Sequence, residues 1–140
     1  MDPRFAEIAS MLADYFDGLY HSDAKRLAKV FHPKAHYVCA TEGTLTHLTM
    51  DEYLPMVARR PSPASRSEAR TDRIVSIEFA GPVTALARVE CSIGPKFFTD
   101  LLSLVRLQGE WRIVSKVFHF DLREDKALAA LGKSAAAAER

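Results

Sequence analysis

Four strand-forming segments joined by short turns follow one another over residues 73–120, and they constrain the fold more than any other feature of the sequence. The turns contain Gly81-Pro82, Gly94-Pro95 and Gln108-Gly109. Connections this short join neighbouring strands that run in opposite directions. The sequence therefore predicts an antiparallel meander in the second half of the chain.

The third and fourth of these segments, Lys96–Leu107 and Glu110–Phe120, carry apolar residues on both faces. A sheet that is apolar on both sides must be covered on both sides. Helices from the first half of the chain can cover one face. We expect a second copy of the protein to cover the other, giving a homodimer through the open face of the sheet.

Two helices are predicted ahead of the strands. Asp2 followed by Pro3 is a good helix start, because the carboxylate caps the first turn and proline loses no needed N–H there. Ser22 or Asp23 can cap a second, shorter helix. We expect it to end at His32-Pro33, because the residue before proline is pushed out of the helical region.

A strand pair and a third helix complete the first half. Residues 35–40 form a predicted short strand, and Glu42-Gly43 turns the chain into a second one that ends near Leu48. Thr49 and Glu52 have the spacing of a capping box, which predicts that a third helix starts immediately afterwards. The pattern indicates an α+β fold in which three N-terminal helices pack against a strongly curved antiparallel sheet of about six strands.

Length and composition limit the classes of function. At 140 residues the chain has the size of one domain, predicted over residues 1–125, with an alanine-rich tail at 126–140. The formal net charge of +1 and the lack of a long apolar run favour neither a nucleic-acid nor a membrane partner. Two cysteines, Cys39 and Cys91, and no secretory leader at the first residues predict a cytoplasmic protein.

Five short motifs carry a family resemblance: YFDGL at 15–19, VFHPKA at 30–35, LTHLT at 45–49, FTD at 98–100 and GEWRIV at 109–114. Together with the order of the predicted elements, they resemble the nuclear transport factor 2-like (NTF2-like) superfamily. That cone-shaped fold includes ketosteroid isomerase, scytalone dehydratase and the SnoaL-like polyketide cyclases. The motif at 45–49 resembles the bacterial subgroup labelled "putative lumazine-binding". The superfamily hosts enzymes, ligand carriers and dimerisation modules, so the resemblance implies a fold before a function.

The resemblance also implies which roles of the steroid isomerase this chain can fill. The catalytic tyrosine of that pattern falls on Tyr15, the general-base aspartate on Cys39, and the second acid near Ser103. A thiol does not replace a carboxylate as a proton shuttle, and serine is a weaker donor than a protonated acid. Steroid isomerase chemistry in its familiar form is therefore not expected.

The same overlay turns the odd-numbered residues of the strands, including Thr99, Leu101 and Ser115, toward the inside of the cone. An apolar pocket with a few hydroxyls and one imidazole is typical of a small-molecule site. The candidate ligand-binding residues are Tyr15, Tyr37, Cys39, Tyr53, Phe97, Ser103, Trp111 and His119. Tyr15 and Trp111 are also consistent with plain core positions, and His119 with an ordinary histidine at a strand end.

Asp100 lies on the even-numbered face of its strand, between apolar neighbours. A buried carboxylate needs a partner, and Arg88, Arg112 and Lys116 are the candidates. Alternatively, a β-bulge can turn Asp100 into the cavity as a base. With His119, which titrates near neutrality, and Tyr15, it forms the set of candidate catalytic residues.

Metal and cofactor sites are not predicted. His32 and His36 are four residues apart, but Pro33 breaks the helix that would align them, and no HExxH or paired CxxC motif occurs. No GxGxxG or P-loop pattern is present to hold a nucleotide.

The leading interpretation is a protein that binds a small, partly aromatic organic molecule inside the cone. One alternative is an enzyme of the isomerase, dehydratase or cyclase type, with His119 or Asp100 moving a proton and Tyr15 polarising a carbonyl. The other is a module that serves only to dimerise through its sheet.

Overall fold

The structure is a computed structural model that describes residues 2–122. The predicted tail at 126–140 lies outside the described residues, and the domain limits stay a prediction. In chain order the elements are α1 (Pro3–Tyr20), α2 (Ala24–Val30), β1 (Phe31–Cys39), β2 (Thr46–Thr49), α3 (Met50–Arg59), a 3₁₀ turn (Ala64–Arg66), β3 (Arg73–Phe79), β4 (Thr84–Ile93), β5 (Lys96–Leu107) and β6 (Glu110–Leu122). The predicted order of helices and strands is confirmed.

The three helices begin where the capping residues predicted. The carboxylate of Asp2 accepts a 2.9 Å hydrogen bond from the backbone N–H two residues on, and that of Asp23 accepts one of 3.1 Å three residues on. Glu52 accepts a 2.9 Å hydrogen bond from the backbone N–H of Thr49, as a capping box requires. None of the described helices is both long and apolar enough to cross a membrane.

The first strand begins earlier than predicted. β1 starts at Phe31 instead of Ala35, so Pro33 lies inside a strand. The pairing of β1 with β6 shifts register between Phe31 and His36, where proline lacks the N–H for a regular ladder. α2 accordingly ends at Val30, before the predicted stop at His32-Pro33, and β1 follows it directly.

The six strands form one sheet in the order β2-β1-β6-β5-β4-β3. The meander β3–β6 is antiparallel, as predicted. One pair differs, since β1 runs parallel to β6 and makes the sheet mixed. The last strand is thereby placed beside the first, although they are far apart in the chain.

Register shifts interrupt the alternation of the meander. One lies between Ile74 and Ser76, and Val75 at this point is 37% exposed. Ile74 packs against the core in its place. A bulge adds one residue to a strand, so it reverses which positions face inward.

The odd-numbered face of β5 does not point inward, and this prediction is wrong. Asp100, Leu102 and Leu104 are each fully buried, whereas Leu101 between them is 41% exposed. Because neighbouring side chains alternate across a strand, the odd-numbered positions lie on the outer face. These include the predicted site residues Phe97 and Ser103, together with Thr99.

The last strand changes face along its length. Trp111 and Ile113 are buried at its start, but Lys116 and Phe118 are the buried residues further on. The switch follows the register shift between β5 and β6 at Ser103/Leu104. The predicted inward direction is therefore right for Trp111 and wrong for His119, which is exposed.

The helices cover the inner face of the sheet. Ile8, Leu12 and Tyr15 of α1 are fully buried there, in one cluster with Leu102 and Ile113 of the sheet. This core fills the end of the fold where α1 meets the strands, and it leaves a cavity toward the opposite end.

Candidate functional site

A cavity of about 410 Å³ opens between the ends of β1, α3 and β6 and the β4–β5 turn. Most of its wall is apolar. The apolar and aromatic residues of the lining are Tyr37, Cys39, Met56, Ile93, Pro95, Phe98, Phe118 and Phe120. Of the predicted ligand-binding residues, Tyr37 and Cys39 line this cavity.

Four aromatic rings form a continuous surface in this wall. Phe118 lies at its centre, with its ring centroid 4.8 Å from that of Tyr37 and 5.7 Å from that of Phe98. Phe98 is in turn 5.9 Å from Phe120. Rings at these distances and tilts present broad apolar faces and edges to a molecule in the cavity.

The charged side chains of the lining are mostly cationic. Arg60, Arg66 and Lys96 line the cavity, with Glu42 as the carboxylate among the described lining residues. Arg66 is paired with Glu68, its Nη1 3.7 Å from the carboxylate Oε2. A cleft with an excess of positive charge attracts negatively charged molecules.

A buried polar cluster lies behind the aromatic wall. The phenol of Tyr15 donates a 2.5 Å hydrogen bond to Oδ2 of Asp100, and the Nζ of Lys116 is 3.9 Å from the same oxygen. Asp100 is fully buried and Lys116 is 4% exposed. The predicted need of Asp100 for a cationic partner is confirmed, and the partner is Lys116.

Aromatic rings surround the ammonium of Lys116. Its Nζ lies 5.2 Å from the ring centroids of both Tyr15 and Phe118, 5.5 Å from Tyr37 and 5.7 Å from Tyr53. Such contacts stabilise a desolvated cation. Tyr37 and Phe118 also line the cavity, so they form the partition between it and the cluster.

Burial and charge set the protonation of the cluster. Burial raises the pKa of Tyr15 well above its ordinary value, and the Asp100 carboxylate raises it further. Burial alone lowers the pKa of Lys116, but Asp100 and the neighbouring phenols reverse this, so the net direction is upward. The cluster therefore holds a neutral phenol and a charged ammonium at neutral pH.

Several polar atoms in this region are buried without a hydrogen-bond partner among residues 2–122. They are the hydroxyl of Tyr53, Oδ1 of Asp100, and Nε and Nη2 of Arg60. Buried polar atoms are normally paired, because an unpaired one carries the full cost of its desolvation. Arg60 is distinctive because it also lines the cavity.

His119 lies on the opposite face of β6 from Phe118 and is not beside Tyr15. Its side chain is 57% exposed, with Nε2 3.1 Å from Oδ1 of Asp121 and Nδ1 2.8 Å from the hydroxyl of Thr41. Thr41 lines the cavity, so His119 touches the rim through that hydroxyl. The structure does not bring the three predicted catalytic residues to one point.

Trp111 packs at the other end of the fold. It is 5% exposed, its Nε1 donates a 3.1 Å hydrogen bond to Glu7, and its ring lies 6.3 Å from that of Phe79. This is the core position that the sequence left open. Tyr15 and Tyr53 are likewise fully buried, and Ser103 faces Ser115 across the β5–β6 ladder.

The residues missed by sequence reasoning are Phe98, Phe118, Phe120 and Arg60. Both faces of β5 and β6 are apolar, so alternation alone did not identify the cavity side. The cationic Arg60 sits directly after α3, a position visible in the sequence. Within residues 2–122, no group of three His, Cys, Asp or Glu side chains is placed to hold a metal.

The sequence profile of the family described as "Putative lumazine-binding" matches residues 3–119. Among solved structures, an NTF2-like protein of unknown function from Silicibacter pomeroyi is 25% identical, with a TM-score of 0.76 over 85% of this chain and 97% of that one. A putative scytalone dehydratase from Novosphingobium aromaticivorans is 15% identical, with a TM-score of 0.62 over 84% of each chain. Among characterised proteins, the aldolase FrzH from Cladobotryum sp. is 26% identical over 107 residues, 75% of this chain and 82% of that protein.

Proposed function

We propose that this chain, a member of the "Putative lumazine-binding" family of the NTF2-like superfamily, binds a small organic molecule in the aromatic cavity. The expected ligand has a flat apolar ring system. The observation that carries the proposal is the continuous wall of Tyr37, Phe98, Phe118 and Phe120 around about 410 Å³. This volume falls within the range of roughly 300–1,000 Å³ typical of small-molecule sites. The wall differs from the predicted one, but its apolar and aromatic character is the same.

Filling the cavity tests the proposal. Cys39 is 7% exposed and lines the cavity, so Cys39→Phe places a ring inside it. We expect ligand-observed NMR to detect 2-naphthamide, a neutral aromatic compound, with the wild-type protein and to lose the signal with this variant. The matched control is Leu45→Phe, which adds the same kind of ring at a position that is 70% exposed and outside the lining.

The control keeps the outcomes separate. Retained binding in Leu45→Phe and lost binding in Cys39→Phe support the cavity as the site. Equal binding by both variants, with unchanged circular dichroism, places the compound elsewhere and contradicts the proposal.

A second candidate function is an enzyme that moves a proton on a carbonyl compound, and the Tyr15–Asp100–Lys116 cluster favours it. In this role the Asp100 carboxylate takes a proton beside the carbonyl, and the ammonium of Lys116 stabilises the enolate oxygen. Similarity to a protein named an aldolase supports this reading, since aldol chemistry passes through an enolate or its equivalent. Tyr37 and Phe118 separate the cavity from the cluster and must move for a substrate to reach Asp100. For this reason we rank ligand binding ahead of catalysis.

Deuterium exchange tests the enzymatic candidate without a known substrate. With 2-tetralone in D₂O, we expect the wild-type protein to accelerate exchange at the carbons beside the carbonyl. Asp100→Asn removes the base and abolishes the acceleration, whereas Tyr53→Phe removes a hydroxyl that has no partner in the described chain and retains it. Exchange by folded Asp100→Asn at the wild-type rate rejects this candidate.

The dimer remains part of the proposal. Leu86, Leu101 and Val117 are 39%, 41% and 44% exposed on the outer face, and Leu101 lies opposite Val117 in the β5–β6 ladder. Neighbouring apolar side chains on one sheet face are a typical interface. We expect a second copy of the chain to cover them.

A further inference from the structure

Arg60 differs from the other charged residues of the mostly apolar cavity wall because part of its guanidinium is buried. Arg60 lines the cavity, yet its Nε and Nη2 are buried and find no acceptor among residues 2–122. Arg60 as a whole is partly exposed, and these two nitrogens are its buried part. Buried guanidinium nitrogens without an acceptor are costly, because water is lost and no protein acceptor replaces it. An anion in the cavity would supply the missing acceptor.

The other charges around the cavity do not supply one. Glu68 pairs with Arg66 and also accepts a 2.9 Å hydrogen bond from the backbone N–H of Gly94. Lys96 adds a third cation to the lining, with its Nζ 4.5 Å from the ring centroid of Phe120. Glu42, the one lining carboxylate in the described chain, makes no ion pair with these cations within residues 2–122.

We infer that the ligand of this cavity is an aromatic carboxylate whose carboxylate group binds Arg60 while its ring lies on the Phe118 wall. The inference rests on the proposed function and names the chemical class of its ligand. A planar guanidinium fork matches a carboxylate in two parallel hydrogen bonds, and a single charge on the ligand balances the single charge of Arg60. Lys96 at the cavity attracts the anion and guides it in.

A set of three naphthalene compounds isolates the charge from the ring. Binding of 2-naphthoate, 2-naphthamide and 2-naphthylmethylammonium to the full chain is measured by isothermal titration calorimetry and ligand-observed NMR. We expect the carboxylate to bind roughly ten- to hundredfold more tightly than the amide, as hydrogen bonds to a charged group provide. The ammonium compound is expected to bind most weakly.

Two arginines that are neighbours in the sequence provide a matched pair of variants. Arg60→Met keeps an unbranched, flexible side chain and removes the guanidinium with its charge, and we expect it to abolish the preference for the carboxylate over the amide. Arg59→Met makes the same change at an exposed residue outside the lining and leaves all three affinities as they are. Because Arg60→Met removes two buried nitrogens that have no acceptor among residues 2–122, we expect it to fold with a melting temperature no lower than the wild type.

The failures of the two proposals are distinguishable. Amide binding equal to or tighter than carboxylate binding overturns the anionic ligand and leaves the aromatic cavity standing. An unchanged preference in Arg60→Met likewise overturns the role of Arg60. No binding of any of the three compounds at millimolar concentration overturns the proposed function, and the inference with it.

Discussion

The phenol of Tyr15 in α1 donates a 2.5 Å hydrogen bond to Oδ2 of Asp100 in β5, joining residues 85 positions apart in the buried interior. Lys116 of β6 completes the arrangement from the neighbouring strand. The first helix is thus connected to the centre of the sheet by a polar contact within an apolar core, immediately behind the cavity wall.

Removing the hydroxyl of Tyr15 tests the strength of this contact. Tyr15→Phe leaves Oδ2 of Asp100 without its donor, and we expect a loss of about 1–3 kcal/mol in the free energy of unfolding. The measurement is urea denaturation followed by circular dichroism. Tyr53→Phe is the control, since the Tyr53 hydroxyl is buried with no partner in the described chain, and its removal is expected to be neutral or stabilising. Equal losses in both variants contradict the assignment.

Lys116 provides a second prediction. Lys116→Met leaves the Asp100 charge uncompensated in a fully buried position, so we expect destabilisation of about 3–5 kcal/mol. Adding Asp100→Asn to this variant is expected to restore part of the loss, because the unpaired charge is then gone. Strictly additive effects in this double-mutant cycle mean that the two side chains do not interact.

Alkaline pH is expected to unfold the protein through the same cluster. The pKa values of Tyr15, Lys116 and Cys91 are all higher in the folded state. Burial and the Asp100 charge raise those of Tyr15 and Cys91, whereas at Lys116 burial lowers the pKa and Asp100 together with the neighbouring phenols and thiol more than reverses it. As pH rises past the ordinary values of 9.0 for a thiol, 10.0 for a phenol and 10.5 for an ammonium, the unfolded chain loses protons first. The stability from these groups is complete below that range and declines above it.

The melting temperature as a function of pH provides the measurement. We expect it to fall above about pH 9–10, where unfolded-state titration begins. In Tyr15→Phe one titrating group is missing, so the decline is expected to be shallower than in the wild type. A melting temperature that stays constant to pH 11 refutes the raised pKa values.

The outer face of the sheet predicts the oligomeric state. Size-exclusion chromatography with light scattering is expected to give twice the 15.6 kDa chain mass. Val117→Lys places a charge in the apolar group on that face and is expected to shift the protein toward a monomer, whereas Leu45→Lys, at an exposed position away from it, is not. A monomeric wild-type protein leaves the apolar outer face without the proposed cover.

The fold was largely predictable because its signals are local. Helix caps at Asp2, Asp23 and Thr49 and glycine turns such as Gln108-Gly109 act within a few residues, and both turn residues have the positive φ angles that a tight hairpin requires (51° and 82°). The parallel pairing of β1 with β6 has no local signal. It depends on how the whole chain packs.

The candidate site was less predictable because it depends on how distant parts of the chain pack together. Phe97 and Phe98 are adjacent in β5, so one of them faces inward and the other outward, and the sequence alone does not show which face the helices cover. The bulge at Ser103/Leu104 then changes the inward set of β6, which moved His119 outward and Phe118 into the wall. Asp100 was identified as needing a cation from its apolar setting alone, because the cost of an unpaired buried charge holds in any fold.

The parallel pairing of β1 with β6 has a consequence for how the protein is made. The chain leaves the ribosome from its amino end, so β1 is synthesised long before the strand that lies beside it. Tyr37 and Cys39 are therefore synthesised before Phe118 and Phe120, which complete the cavity wall. Asp100 is likewise synthesised before Lys116, which neutralises its charge. A nascent chain that stops before β6 lacks both the Phe118 side of the cavity and the cation that balances Asp100, so the proposed binding cavity is complete only after β6 has been synthesised.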